Sequence, residues 1–186
     1  MKKVLLAVVL MAFISSCKKN TTGSGGGNVD VSTLHERLPG KWDIVSITYS
    51  GVANFPPPFD STQTYQFTGV GENVLGHYDF DTIPNPNEMD FLMDFLAPLN
   101  LTTGGVISYK IHEEGYATYE VNEDESSIEG ISYIFQPSGA VDTVPSAWTV
   151  LKNEVNRQEW SIKKTEYWDD DPKYPIYIDM VTVIER

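Results

Sequence analysis

From Gly104 to Glu185 the chain is a run of short segments in which apolar and polar residues alternate. Clusters of Gly, Asn, Asp, Ser and Pro separate the segments. Period-two alternation with such punctuation is the pattern of antiparallel β-structure, one face buried and one wet. It predicts strands at Val106–His112 and Tyr116–Asn122, with Glu113-Glu114-Gly115 as the hairpin turn between them. Ile128–Gln136 follows the Asn122–Ser127 turn, and Trp148–Lys152 leads through Asn153 and Glu154 to Val155–Trp168, long enough to need a bulge or bend. Ile176–Glu185 is the last. Upstream, one strand starts at Trp42, Thr62–Thr68 puts Tyr65 and Phe67 on one face, and Val74–Phe80 follows the Gly69-Val70-Gly71 turn. The total is about eight strands at the spacing of a sandwich or barrel.

Three segments depart from the alternation. Ser32–Leu38 predicts a short helix: Thr33 and Glu36 have capping-box spacing, Leu34 and Leu38 lie one turn apart, and Pro39-Gly40 ends it. Gly51–Ser61 contains Pro56-Pro57-Pro58 and cannot join a ladder, because proline has no N–H to donate. It is a loop long enough to lie over a barrel mouth. Asn85–Asn100 predicts an inserted helix, capped by Asn87, with Met89, Leu92, Met93 and Leu96 at helical spacing and Phe91 and Phe95 widening the stripe. Such a helix either covers the barrel wall or forms a lid over its ligand end. Two strands are apolar on both faces. Ile131, Tyr133 and Phe135 oppose Ile128 and Ile134, and Tyr177, Val181 and Val183 oppose Ile176, Ile178, Met180 and Ile184. The outer side therefore needs a cover, either the inserted helix or a partner chain.

Met1-Lys2-Lys3 followed by an apolar run from Val4 to Ile14 reads as a secretory signal, too short for a permanent span of roughly 20 residues. Ile14-Ser15-Ser16-Cys17 matches the bacterial lipobox, which makes Cys17 the lipidation site and residues 1–16 the removed signal peptide. Cys17 is the chain's one cysteine, so no internal disulfide holds the fold, and acylation consumes the lone thiol. Residues 17–29 are glycine- and serine-rich and predict a flexible tether, and residues 30–186 form one domain. The net charge of −13 becomes more negative by two when Lys2 and Lys3 leave with the signal peptide. So acidic a chain repels phosphate backbones, which excludes nucleic acid as a partner, and disfavours anionic lipid beyond a covalent anchor.

The chemistry of an enzyme is absent from the pattern. His35, His77 and His112 share no metal spacing. Asp79 and Asp81, or Asp169–Asp171, lack the glycine and distal glutamate of a calcium loop. No phosphate loop, dinucleotide glycine pattern or Gly-x-Ser-x-Gly occurs. A non-catalytic protein without cofactor or metal is the expectation.

Gly40-Lys41-Trp42, behind a short helix and ahead of a β-only pattern, resembles the opening of lipocalin-like barrels. With the lipobox, the chain resembles the lipocalin-like lipoproteins of Bacteroidetes. That resemblance implies an antiparallel up-and-down barrel whose short N-terminal helix plugs the closed end. It implies a cation stacked on Trp42, for which Arg157, Lys163 and Arg186 are the candidates. In that group acidic residues after the cysteine direct export to the cell surface. Lys18 and Lys19 stand there instead, which favours the periplasmic face of the outer membrane. The implied function is binding of a small apolar or aromatic ligand, with Trp42, Tyr65, Phe67, Tyr119, Trp148 and Trp160 as lining candidates and Met89, Leu92, Met93 and Leu96 as lid candidates. The competing expectation is a filled barrel that docks on another envelope protein.

Overall fold

The structure is a computed structural model that describes residues 32–81, 87–168 and 171–186. The lipobox, Cys17 and the tether lie outside the described residues. Helix α1 (Leu34–Arg37) forms where expected: Thr33 Oγ1 accepts from the Glu36 amide, and Glu36 returns a bond to the Thr33 amide. Leu34 and Leu38 are fully buried beneath it.

Strands β1 (Gly40–Ala53), β2 (Tyr65–Val70), β3 (Glu72–Phe80), β4 (Glu88–Leu101), β5 (Val106–Val121), β6 (Ser127–Phe135), β7 (Val141–Asn153), β8 (Arg157–Tyr167) and β9 (Pro175–Glu185) form one antiparallel sheet in the order β2-β1-β3-β4-β5-β6-β7-β8-β9. Pairing of β1 with β9 closes the sheet into a ring. β2 and β3 occupy one position between β1 and β4, interrupted at Gly71, so nine strands fill eight places. An up-and-down barrel of that size is narrow enough for side chains to fill.

Inside the ring, alternate residues of every strand meet. At the end where β1 begins, Trp42, Tyr78, Phe80, Tyr119 and Trp160 pack edge-on and tilted at centroid separations of 5.2–5.6 Å for the pairs Phe80–Tyr119, Phe80–Trp160 and Tyr78–Trp160. Gly40 has φ +103°, a conformation that side chains rarely adopt, and it turns the chain from α1 into β1 so that Trp42 points inward. The Trp42 indole donates to the Leu38 carbonyl at 2.8 Å, satisfying one of the carbonyls a helix end leaves orphaned. Of the three candidate cations, Arg186 is the one on Trp42, its guanidinium 4.5 Å from the ring centre.

At the opposite end Gly51–Ala53, expected in the loop, extend β1 and pair with β2 and β9, because the prolines begin only at Pro56; the proline-rich loop starts at Asn54 and folds back. Phe55 is fully buried and lies 5.2 Å from Phe59, 5.7 Å from Tyr65 and 5.4 Å from Trp168, ring centre to ring centre.

Two further expectations fail. Asn87–Ala97 is not an inserted helix but the core of β4. Met89, Phe91, Met93, Phe95, Ala97, Leu99 and Leu101 all point inward at strict period two, and the lid candidates Leu92 and Leu96 point to the outer face. Apolar residues on the outer phase gave the stretch a helical stripe as well. The helix-like stop at Pro98 also misleads. On the edge facing β2 and β3, β4 has no ladder partner between Leu96, which pairs with β3, and Asn100, which pairs with β2. Pro98 sits in that gap, where the missing N–H costs nothing and its carbonyl accepts from the Tyr49 hydroxyl at 3.0 Å.

The second failure is the turn at Glu113-Glu114-Gly115. β5 runs through it unbroken for 16 residues, paired with β4 from Val106 to Thr118. Ile111, Glu113, Gly115, Ala117 and Tyr119 keep the inner phase. A charged residue on that phase concealed the alternation. β7 likewise begins earlier than expected, at Val141, and carries Pro145 on a stretch that β8 does not pair.

With no inserted helix, the outer apolar face of the β6–β7 hairpin is bare: Ile131, Phe135 and Val141 are 41%, 48% and 50% exposed. Tyr116 and Tyr133 stack beside them at 4.6 Å.

Candidate ligand-binding site

The half of the barrel away from α1 holds a cavity of about 20 Å³, the space of about one water molecule. Met93, Phe95 and Leu99 of β4 form one wall, Ile176, Ile178 and Met180 of β9 another, with Tyr49 and Tyr109 between. Into this apolar surround project three charged side chains. Lys164 and Glu166 stand on the inner phase of β8, and Glu113 on that of β5.

The Lys164 ammonium donates to the Glu113 carboxylate and lies 3.6 Å from that of Glu166. The Lys164 and Glu113 side chains are 18% and 16% exposed. Burial pulls the lysine's pKa down, but the two carboxylates, Glu113 first, outweigh it and hold the ammonium above its ordinary value. The cavity therefore contains a lasting positive charge clamped by negative ones. On β1, burial pushes the Tyr49 phenol up to about 12, and the nearby Glu72 carboxylate adds to the effect. Its hydroxyl remains a neutral donor, bound to Pro98.

The aromatic lining candidates fall elsewhere. Trp42, Tyr119, Trp148 and Trp160 are core of the half next to α1, and Tyr65 and Phe67 pack under the proline-rich loop. None of the six lines the cavity. Of the lid candidates, Met93 reaches it, as wall and not as lid. Met89 is buried core at the start of β4.

Glu113, Lys164 and Glu166 were missed. The readable signal was the phase: Trp160, Ile162, Lys164 and Glu166 alternate on one face of β8, so two charges continue an inward row. In the core next to α1, Gln158 donates to Asn153 and to the Glu154 carbonyl at 2.9 and 2.6 Å. Its Oε1 and the Trp160 indole N–H are the buried side-chain polar atoms that lack a partner among the described residues. Among those residues no group of three or more His, Cys, Asp and Glu side chains is placed to hold a metal ion.

No protein-family model and no characterised protein sequence matches the chain. Its fold is similar to that of two redesigned β-barrels among solved structures. One has 16% sequence identity over 82% of this chain and 94% of its own, with a TM-score of 0.32. The other, mFAP1 bound to DFHBI, has 16% identity over 83% of this chain and all of its own, with a TM-score of 0.34. Both likenesses are of the strand arrangement alone.

Proposed function

We propose that this is a lipid-anchored envelope protein, held at Cys17 on the periplasmic face of the outer membrane, that binds a small largely apolar molecule without transforming it. The observation that carries the binding reading is the Lys164–Glu113 pair on the wall of an apolar cavity. A buried ion pair adds little net stability over apolar residues of the same size, and charged groups held in an apolar cleft mark a candidate functional site. The cavity is small as it stands, but Met93 and Met180 line it, and methionine adapts to irregular shapes with little loss. The anchor reading rests on Ile14-Ser15-Ser16-Cys17 behind a short apolar run.

The test is native mass spectrometry of the full chain purified from membranes, paired with an organic extract of the same sample. A stoichiometric small molecule in both is the expected result. A ligand-free protein that also fails to enhance the fluorescence of an apolar dye removes the binding reading.

A second reading has its own support. The bare outer face of the β6–β7 hairpin, with Ile131, Phe135 and Val141 beside the Tyr116–Tyr133 stack, suits an apolar contact with another envelope protein. Ile131→Lys together with Phe135→Lys should abolish such a contact and leave ligand binding intact.

A further inference from the structure

The chemistry of the ligand is narrowed by a seam in the barrel wall. β5 pairs with β6 from Gly115 to Val121, and Val106–Glu114 has no ladder on that edge. β8 pairs with β7 from Gln158 to Ile162, and Lys163–Tyr167 has none. The β6–β7 hairpin ends between them without sealing the wall. Val144 pairs with Ser132 and so shares its inner face, yet it is 42% exposed whereas Ser132 is buried. The seam is spanned by side chains: Lys164 of β8 on Glu113 of β5, and the Tyr109 and Trp168 rings 5.9 Å apart.

Resting on the reading that the cavity binds a ligand, the geometry points to a ligand with one carboxylate, which takes the place of Glu113 on Lys164 while Glu113 turns out through the seam into water. The exchange keeps the attraction. Lys164 retains Glu166 at 3.6 Å and gains the ligand's carboxylate in the same low-dielectric surroundings, and Glu113 recovers its hydration. Its departure also empties volume next to Met93, its partner across β4. A neutral apolar ligand would leave the pair in place and face a cavity of about 20 Å³. A cationic ligand would have to displace the ammonium from two carboxylates, where an anionic one displaces one carboxylate from one ammonium. The asymmetry favours the anion.

Fluorescence titration of the full chain at pH 8 with cis-parinaric acid and with its methyl ester tests this, since the two probes differ only in the charged group. The acid should bind at least tenfold more tightly than the ester. In Glu113→Gln the competitor is neutral, so the acid should tighten further, by severalfold, with the ester unchanged. In Glu113→Gln/Lys164→Met the acid should lose its preference, to within threefold of the ester. Equal binding of acid and ester by the unmodified protein overturns the exchange, as does a preference that survives the double variant. Should the double variant fail to fold, a fall in the acid-to-ester ratio in Glu113→Gln overturns it alone. If neither probe binds, the binding reading itself fails and the exchange with it.

Discussion

Replacing Trp42 by Ala removes the side chain that joins α1, the barrel interior and the C-terminus. The indole is fully buried, so the truncation opens a cavity that the surrounding rings close only in part, at a cost of about 3–5 kcal/mol. Two specific contacts go with it. The Leu38 carbonyl loses its donor at 2.8 Å, worth about 1 kcal/mol net. Arg186 loses the ring 4.5 Å beneath it, worth about 0.5–1 kcal/mol for an exposed cation. Two milder variants separate these parts. Trp42→Phe keeps an aromatic body and loses the donor, and should cost about 1–3 kcal/mol because the carbonyl stays buried and unpaired. Arg186→Ala should cost under about 1 kcal/mol. Urea unfolding followed by tryptophan fluorescence measures each, and with a slope of about 1–3 kcal/mol per molar, Trp42→Ala should move the midpoint by more than about 1 M. The double variant Trp42→Ala/Arg186→Ala should be less destabilised than the sum of the single changes, by the coupling of the pair. A loss under about 1 kcal/mol for Trp42→Ala would place the indole at the surface and refute the closed-end assignment.

Cys17→Ser should shift the protein from the detergent phase to the aqueous phase on Triton X-114 partition; a membrane-bound variant, with an unmodified Cys17 peptide from the parent, would remove the anchor. Gly115→Ala puts a Cβ 2.0 Å from the Tyr133 carbonyl oxygen across the β5–β6 ladder, so the strands must part at an expected cost of about 1–3 kcal/mol in the same urea assay. Unchanged stability would show that β5 and β6 are not paired at that rung. At alkaline pH the raised phenol of Tyr49 and the raised ammonium of Lys164 act in one direction, since the folded state keeps protons that the unfolded chain releases. The contribution of Tyr49 is complete below its ordinary value of 10.0 and is lost as pH rises through about 12. That of Lys164 is complete below 10.5 and is lost above it. The urea midpoint should therefore fall from pH 10 upward. Tyr49→Phe should reduce the slope without abolishing it, because burial also raises the Tyr78 and Tyr119 phenols. A slope identical to the parent's would show Tyr49 to be exposed.

What could be read directly from the chain was local. The capping box of Thr33 and Glu36, the glycine that turns α1 into β1, the loop at Pro56-Pro57-Pro58 and the alternation of β6 and β9 each depend on residues within a few positions of one another. About eight strand-like segments narrowed the fold to a sandwich or barrel, and the resemblance carried by Gly40-Lys41-Trp42 chose the barrel. The same local logic misread Asn87–Ala97. Met89, Leu92, Met93 and Leu96 satisfy a helical period, and Met89, Phe91, Met93 and Phe95 satisfy a strand period. Burial of the second set against β3 and β5 decided between them, and no local rule contains those neighbours.

The candidate site lay further from reach. Lys164 and Glu113 are 51 residues apart in sequence and meet because the β6–β7 hairpin stops short of the seam, leaving β5 and β8 to face each other. By itself the sequence determined the alternation of most strands, the capping box ahead of Gly40-Lys41-Trp42 and the signal-and-cysteine pattern of the N-terminus. The tertiary structure alone decided which apolar face turned inward and which charges were carried in with it. Period two gives each strand two equivalent faces, and only the pairing of distant strands makes one of them the inside.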